Sequence, residues 1–282
     1  MASPTTSVTV VIPARYGSSR FPGKPLARLA GKPMIQHVYE RVRNVPHIRQ
    51  VLVATDDQRI SDAVTGFGGR VMLTQEPYRT GTDRVAGVAR QVAGEVFVNL
   101  QGDEIALHPG LFSDLIEPFL GSQAEIGTLK RRLTTADEIA TPGIVKVVTD
   151  HEGHALYFSR APIPHVRDGE PVPGQSGLHY VHLGIYIYRR ETLLRLAGLP
   201  TGKLEEAEKL EQLRALEAGI RIRVWETQHP SLRIDTPQDL DDAAKTLERL
   251  TPFPQHLHEP TVLGFPASRR RVTWPPAANS FS

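Results

Sequence analysis

The chain has 282 residues, 40% hydrophobic and 23% charged, with a formal net charge of +2. So even a balance argues against a nucleic-acid partner, and the absence of cysteine excludes disulfides, thiolate catalysis and cysteine-bound zinc. Residues 1–7 carry no apolar signal core and no stretch approaches the ~20 apolar residues of a membrane span, so the expectation is a soluble cytoplasmic protein with no membrane partner.

Val8–Ile12 predicts a strand that runs straight into Pro13-Ala14-Arg15-Tyr16-Gly17-Ser18-Ser19-Arg20-Phe21-Pro22-Gly23-Lys24. Gly17, Ser18 and Ser19 let a backbone approach a bulky anion. Arg15, Arg20 and Lys24 supply three cations within ten positions. Backbone N–H groups, hydroxyls and fixed positive charge together suit a nucleoside triphosphate. The loop is neither a Walker loop nor a dinucleotide fingerprint, since G-x-x-x-x-G-K-[ST] and G-x-G-x-x-G are both missing. A basic surface loop without a ligand is the competing reading.

A helix is predicted over Met34–Val42, a strand over Gln50–Thr55, and a helix over Arg59–Phe67 behind Asp56-Asp57. A strand over Arg70–Leu73, a helix over Thr82–Val92 and a strand over Val96–Asn99 follow, the last ending at Gln101-Gly102-Asp103-Glu104. This β-α-β-α-β rhythm predicts a largely parallel sheet with helices on both faces. Ligands of such sheets bind beyond the carboxyl ends of the strands, where each polar cluster falls. Asp103 is then suited to hold Mg²⁺ across from the phosphate loop. Asp235 is either a second metal carboxylate or the cap of a helix starting near Pro237. In Arg79-Thr80-Gly81-Thr82-Asp83-Arg84, Thr82 caps the following helix, or the threonines and Arg84 face a nucleotide.

Further on, Ile144–Thr149 and Val181–Tyr188 predict strands, with a mobile Pro/Gly-rich loop over Pro162–Gly177 between them. His182, Gly184 and Tyr186 alternate and share a face, either walling a polyhydroxy substrate or packing in a core. Arg160 binds an acceptor carboxylate or a surface glutamate. Leu204–Leu216 predicts one continuous helix, on which Glu208 reads as exposed helix charge beside Glu211 and Gln212. Ile222–Val224 is a strand and Gln238–Leu250 a closing helix. The domain therefore spans 1–250, with a proline-bearing irregular tail over 251–282.

Several separated motifs also match a known family. They include Ile12-Pro13-Ala14-Arg15-Tyr16-Gly17-Ser18-Ser19-Arg20, Pro22-Gly23-Lys24-Pro25-Leu26, Gly81-Thr82-Asp83-Arg84 and Gln101-Gly102-Asp103-Glu104. Later come Val145-Lys146-Val147-Val148, Tyr157-Phe158-Ser159-Arg160, His182-Leu183-Gly184-Ile185-Tyr186, Glu208-Lys209-Leu210-Glu211-Gln212 and Ile234-Asp235-Thr236-Pro237. The chain resembles the 3-deoxy-manno-octulosonate cytidylyltransferases from about Val8 to Leu250. The resemblance implies a Rossmann-like nucleotidyltransferase fold with a mostly parallel mixed sheet flanked by helices. It also implies a homodimer, and Mg²⁺-dependent joining of CTP and a sugar acid to give CMP-sugar and pyrophosphate. It assigns the CTP phosphates to Arg15, Ser18, Ser19, Arg20 and Lys24, with Pro13, Ala14, Gly17 and Gln101 completing the nucleotide site. Thr80, Thr82 and Arg84 fall to the cytidine and Asp103 and Asp235 to the metal. Gln101, Arg160, His182, Tyr186, Glu211 and Gln212 fall to the acceptor. Lys24, Arg15, Asp103 and Asp235 carry the catalysis in this scheme.

The sequence departs from the family pattern at Ile105, Gly143, Val181 and Arg233, where proline, asparagine, a basic residue and glycine are usual. These positions leave two alternatives beside 3-deoxy-manno-octulosonate (KDO) as acceptor. One is the same transfer to a different keto sugar acid or a phosphonate. The other is an inactive nucleotide-binding subunit.

Overall fold

The computed structural model describes residues 7–17, 21–74, 78–104, 108–167, 177–229, 234, 236 and 238–240. The expectations for Ser18, Ser19, Arg20, Ile105, Arg233, Asp235, the helix beyond Leu240 and the tail 251–282 lie outside these residues, as does 168–176 of the Pro/Gly-rich loop.

The sheet is built from β1 (Val8–Ala14), β4 (Ile48–Thr55), β5 (Val71–Leu73), β6 (Val96–Asn99), β7 (Ile126–Arg132), β8 (Lys146–Thr149), β9 (Ala155–Ser159), β10 (Tyr180–Arg189) and β11 (Ile222–Glu226). A two-residue hairpin, β2 (Arg28–Leu29) and β3 (Lys32–Pro33), stands apart from it. The helices are α1 (Met34–Val42), α2 (Gln58–Gly66), α3 (Gly81–Gln91), α4 (Pro109–Leu120), α5 (Ala136–Ala140), α6 (Arg190–Ala197), α7 (Lys203–Glu208) and α8 (Leu213–Glu217). Strand order is β11-β7-β10-β6-β1-β4-β5, with β8 and β9 attached to β10.

β1 lies at the centre, parallel to both β4 and β6. Both its faces are covered, which is why it reads as the near-continuous apolar run Val-Thr-Val-Val-Ile rather than as an alternation. Val10 and Ile12 face one core with α1, α2 and α4, whereas Val11 faces another with α3, α6 and α8. From β1 the chain winds outward through α1 to β4 and β5, then returns by α3 to β6 on the other flank. The direction of winding reverses between β1 and β6. A crevice opens beyond the carboxyl ends of strands at such a switch point, here between Arg15 and the Gln101–Asp103 turn.

The sheet is more mixed than the rhythm of the first half predicts. β10 runs antiparallel between β6 and β7, while β11 returns parallel to β7. The predicted helix over Leu204–Leu216 is two short helices, because Lys209 adopts the left-handed conformation (φ 53°) and ends α7. That break turns Glu211 and Gln212 out of helical register. Thr80, rather than Thr82, caps α3: its hydroxyl accepts from the Asp83 N–H at 3.1 Å.

Candidate active site

Two clefts lie side by side over the switch point. The first, about 290 Å³, is lined by Pro13, Ala14, Arg15, Lys24, Arg79, Thr80, Gly81, Arg84, Gln101, Asp103 and Glu211, among others. The second, about 480 Å³, is lined by Thr82, Gln101, Arg131, Gly143, Arg160, Val181, His182, Tyr186, Glu211 and Gln212, among others. Gln101 and Glu211 belong to both. The expected nucleotide residues Pro13, Ala14, Arg15, Lys24, Thr80 and Arg84 thus share one cleft, and every expected acceptor residue lines the other. Thr82 faces the second cleft. Gly17 is exposed on the loop and lines neither.

Local contacts fix the two ends of the loop that follows β1. Gly23 takes φ 71°, and its N–H donates to the Tyr16 carbonyl at 2.9 Å. Arg59 lies over the Tyr16 ring at 3.3 Å and pins it to α2. At the opposite wall a side chain on Gly81 would put its Cβ 3.3 Å from Gln101 Nε2 and 3.4 Å from Pro13 Cγ. Glycine there keeps the start of α3 close to the β1 loop.

Lys24 and Asp103 form the polar centre of the first cleft. Lys24 Nζ is 2.8 Å from Asp103 Oδ2 and donates to the Ile234 carbonyl at 2.6 Å. The Ile234 N–H donates in turn to the Asp103 carbonyl at 3.0 Å. These bonds hold the chain position next to Asp235 against Asp103, although Asp235 itself lies outside the described residues. The donor chemistry fits a hard divalent cation: Asp103 brings carboxylate oxygen to a polar cleft while keeping 12% side-chain exposure. A separate group, Asp150, Glu152 and His154, gathers at the β8–β9 turn, but Arg221 already binds all three at 2.9–3.1 Å.

A hydrogen-bonded chain joins the two clefts. Gln101 Nε2 donates to Asn99 Oδ1 at 3.4 Å, Asn99 Nδ2 donates to Thr82 Oγ1 at 3.3 Å, and Thr82 Oγ1 donates to Glu211 Oε2 at 2.8 Å. The Thr82 N–H also donates to Glu211. Behind this chain Arg84 is buried. It donates to Thr74 Oγ1 at 2.6 Å and pairs with Asp56 at 2.8 Å, so its guanidinium braces the first cleft from below.

In the second cleft Arg160 is held by Glu208. Its Nε donates to the Glu208 carbonyl at 2.9 Å and its own N–H to Glu208 Oε2 at 3.0 Å. The Ser159 hydroxyl donates to Glu208 Oε1 at 2.6 Å. Glu208 is therefore not the exposed helix charge that its spacing suggests. The end of α7 brings it against the β9 terminus, and a periodicity argument cannot see that contact. Lys146, fully buried, donates to the carbonyls of Thr141, Ile144 and Arg160 at 2.6–2.9 Å. Desolvation pushes its ammonium below the ordinary lysine range. Glu208→Gln is expected to raise the acceptor KM about tenfold through loss of one charge-assisted bond, with the CTP KM unchanged. Steady-state kinetics varying each substrate separately checks this, and an equal rise in both constants would contradict it.

His182 and Tyr186 keep the shared face predicted for them, with ring centroids 5.2 Å apart, although β10 bulges between Leu183 and Tyr186. Desolvation lowers the His182 imidazole to about 3 and pushes the Tyr186 phenol well above its usual value. His182 is thus neutral at physiological pH and a weak base.

A cytidylyltransferase family profile matches residues 9–222. A 3-deoxy-manno-octulosonate cytidylyltransferase of Geobacter sulfurreducens is 51% identical over 251 residues, covering 86% of this chain and 99% of that protein. Its counterpart in Syntrophotalea carbinolica is 53% identical over 240 residues, covering 83% and 96%. The chain belongs to the 3-deoxy-manno-octulosonate cytidylyltransferase family. A solved CMP:2-keto-3-deoxy-manno-octonic acid synthetase complexed with CTP superposes with a TM-score of 0.80 at 42% identity, covering 86% of this chain and 99% of that one. A putative glucose-1-phosphate thymidylyltransferase from Bacillus anthracis, 17% identical with a TM-score of 0.60, shares the fold. As a member of the cytidylyltransferase family the chain is a CTP-dependent nucleotidyltransferase, with the Rossmann-like α/β architecture its motifs imply. Among the described residues no helix is long and apolar enough to cross a membrane.

Proposed function

We propose that the chain transfers CMP from CTP to 3-deoxy-manno-octulosonate with release of pyrophosphate. The observation that carries this reading is the pair of clefts meeting at Gln101 and Glu211. A donor in the first and an acceptor in the second would react across that shared wall. The acceptor's anomeric hydroxyl oxygen bonds to the α-phosphorus of CTP as the bond to the pyrophosphate oxygen breaks, and the hydroxyl proton is released.

Arg15 and Lys24 offset charge that grows on the phosphate oxygens, and the geometry of the two clefts aligns the reacting atoms. Asp103 and Asp235 would hold Mg²⁺, which when bound lends further positive charge to the phosphates. Asp103 also keeps Lys24 at the cleft floor. In the acceptor cleft Arg160 stands at the rim, and His182, being a weak base, serves for binding rather than for proton removal. The neutral imidazole suits a hydroxyl-rich substrate.

The family profile over residues 9–222 supports placing the activity in the segment 1–250. The family resemblance supports a homodimer, and sedimentation gives the oligomeric state. Pyrophosphate release with CTP, Mg²⁺ and a panel of acids tests the reading, using the full chain and residues 1–250 in parallel. KDO should give the highest kcat/KM with both proteins. Turnover only with another acid would move the reading to that acceptor, and CTP binding without any turnover would support the inactive subunit.

A further inference from the structure

Thr128, in the middle of β7, is fully buried and lies opposite the β10 bulge. Its hydroxyl oxygen is 2.8 Å from the Ile185 carbonyl, 3.1 Å from the Leu183 carbonyl and 3.1 Å from His182 Nε2. A hydroxyl has one proton, and a carbonyl can only accept. If that proton went to His182, the hydroxyl's lone pairs would face two carbonyl oxygens at these distances, a repulsive arrangement. With the proton on a carbonyl, the hydroxyl can only accept from the imidazole. Nε2 then carries the hydrogen and Nδ1 the lone pair.

We propose that Thr128 is a positioning residue that fixes His182 as the Nε2–H tautomer, so that Nδ1 meets the acceptor cleft as a hydrogen-bond acceptor selective for a hydroxyl. Among the described residues, Thr128 is the imidazole's only hydrogen-bond partner. The Tyr186 hydroxyl, in the same cleft, is buried with no hydrogen-bond partner among the described residues. A substrate hydroxyl can donate to the lone pair of His182 Nδ1, which completes the hydrogen bonding of the imidazole. A carboxylate at the same point would meet the Nδ1 lone pair and be repelled. This corner therefore takes a neutral hydroxyl of the sugar acid, and the anionic end lies elsewhere in the cleft. Phe158, edge-on to the imidazole at 4.9 Å between ring centroids, keeps the ring from turning. The pressure of burial against the imidazolium favours the neutral form that this arrangement needs.

The inference deepens the acceptor reading given above and rests on it for the identity of the hydroxyl-bearing ligand. The tautomer itself is measurable without any substrate. Long-range proton–nitrogen correlation spectra of the full chain labelled at histidine, with the His182 signal assigned by its loss in His182→Gln, should give the Nε2–H pattern at pH 7. Thr128→Val should erase that bias and raise the KM for KDO about tenfold, with the CTP KM unchanged. Thr128→Ser should restore both, and it keeps the experiment informative if the valine variant does not fold. An Nδ1–H pattern in the wild-type protein would overturn the proposal. So would Thr128→Val leaving tautomer and KM as they were. If KDO is not turned over at all, the acceptor reading fails while the tautomer measurement still decides the role of Thr128.

Discussion

Asp103→Asn is expected to lower kcat by about 10³-fold or more, roughly 4 kcal/mol of transition-state stabilisation, while the melting temperature changes little. The side chain holds Lys24 at 2.8 Å and supplies the charged oxygen that suits a divalent cation. Its backbone carbonyl, not its carboxylate, accepts from the Ile234 N–H, so the local chain path survives the substitution. An amide oxygen can still accept a hydrogen bond from Lys24, but it carries no charge with which to bind a metal or balance the ammonium. Loss of rate should therefore exceed loss of CTP affinity. Turnover near the wild-type rate would remove Asp103 from the metal-holding role and leave it a structural partner of Lys24.

The second large effect is on stability. Arg214 is 3% exposed and donates to both oxygens of Glu205, Nε to Oε2 at 2.7 Å and Nη2 to Oε1 at 2.5 Å. It also reaches Asp83 Oδ1 at 3.1 Å. It ties α8 and α7 to the first turn of α3, and with them Glu211 to Thr82. Arg214→Met leaves buried Glu205 without its paired cation and Asp83 with only the exposed Arg79, 3.4 Å away, and is expected to cost about 3–5 kcal/mol in chemical denaturation. Glu205→Leu added to Arg214→Met should recover part of that loss, because the stranded charge is then gone. A loss under about 1 kcal/mol would mean that the carboxylates find other partners.

The same cluster shapes the acid limb of stability. Burial alone would push the Glu205 carboxyl up, but the hydrogen bonds and charge of Arg214 bring it below its ordinary 4.5. Its folded-state value is depressed, so the contribution is fully present above pH 4.5 and is lost as pH falls through the folded value. Arg214→Met should flatten this part of the stability–pH curve.

How much could be read from the chain depends on the kind of interaction. α1 runs over the predicted Met34–Val42, and β6 over the predicted Val96–Asn99, because α1 is an amphipathic segment behind Pro33 and β6 a short apolar run that ends at a polar turn. Part of the first cleft is legible too, since Arg15 and Asp103 sit just past the ends of β1 and β6, where a parallel sheet opens. α4 and α6 and the strand β7 are absent from the pattern-based reading. α4 carries Pro118 inside it, and α6 follows β10 with no intervening loop. Glu208, Lys146 and Thr128 were illegible for another reason. Each acts through a contact made across 14 to 57 positions of chain, and nothing in local spacing encodes such a partner. The break at Lys209 belongs with them, because the helical periodicity of leucines runs through it unchanged.

The proposed transfer between a donor cleft and an acceptor cleft that meet at Gln101 and Glu211 is tested most directly by phosphorus NMR of one reaction mixture. With enzyme, CTP, Mg²⁺ and KDO, the α-phosphorus signal of CTP should be replaced by a single phosphodiester signal of CMP-KDO, matched by an equal amount of pyrophosphate. An α-phosphorus signal that stays that of CTP, under conditions where CTP is bound, would contradict it.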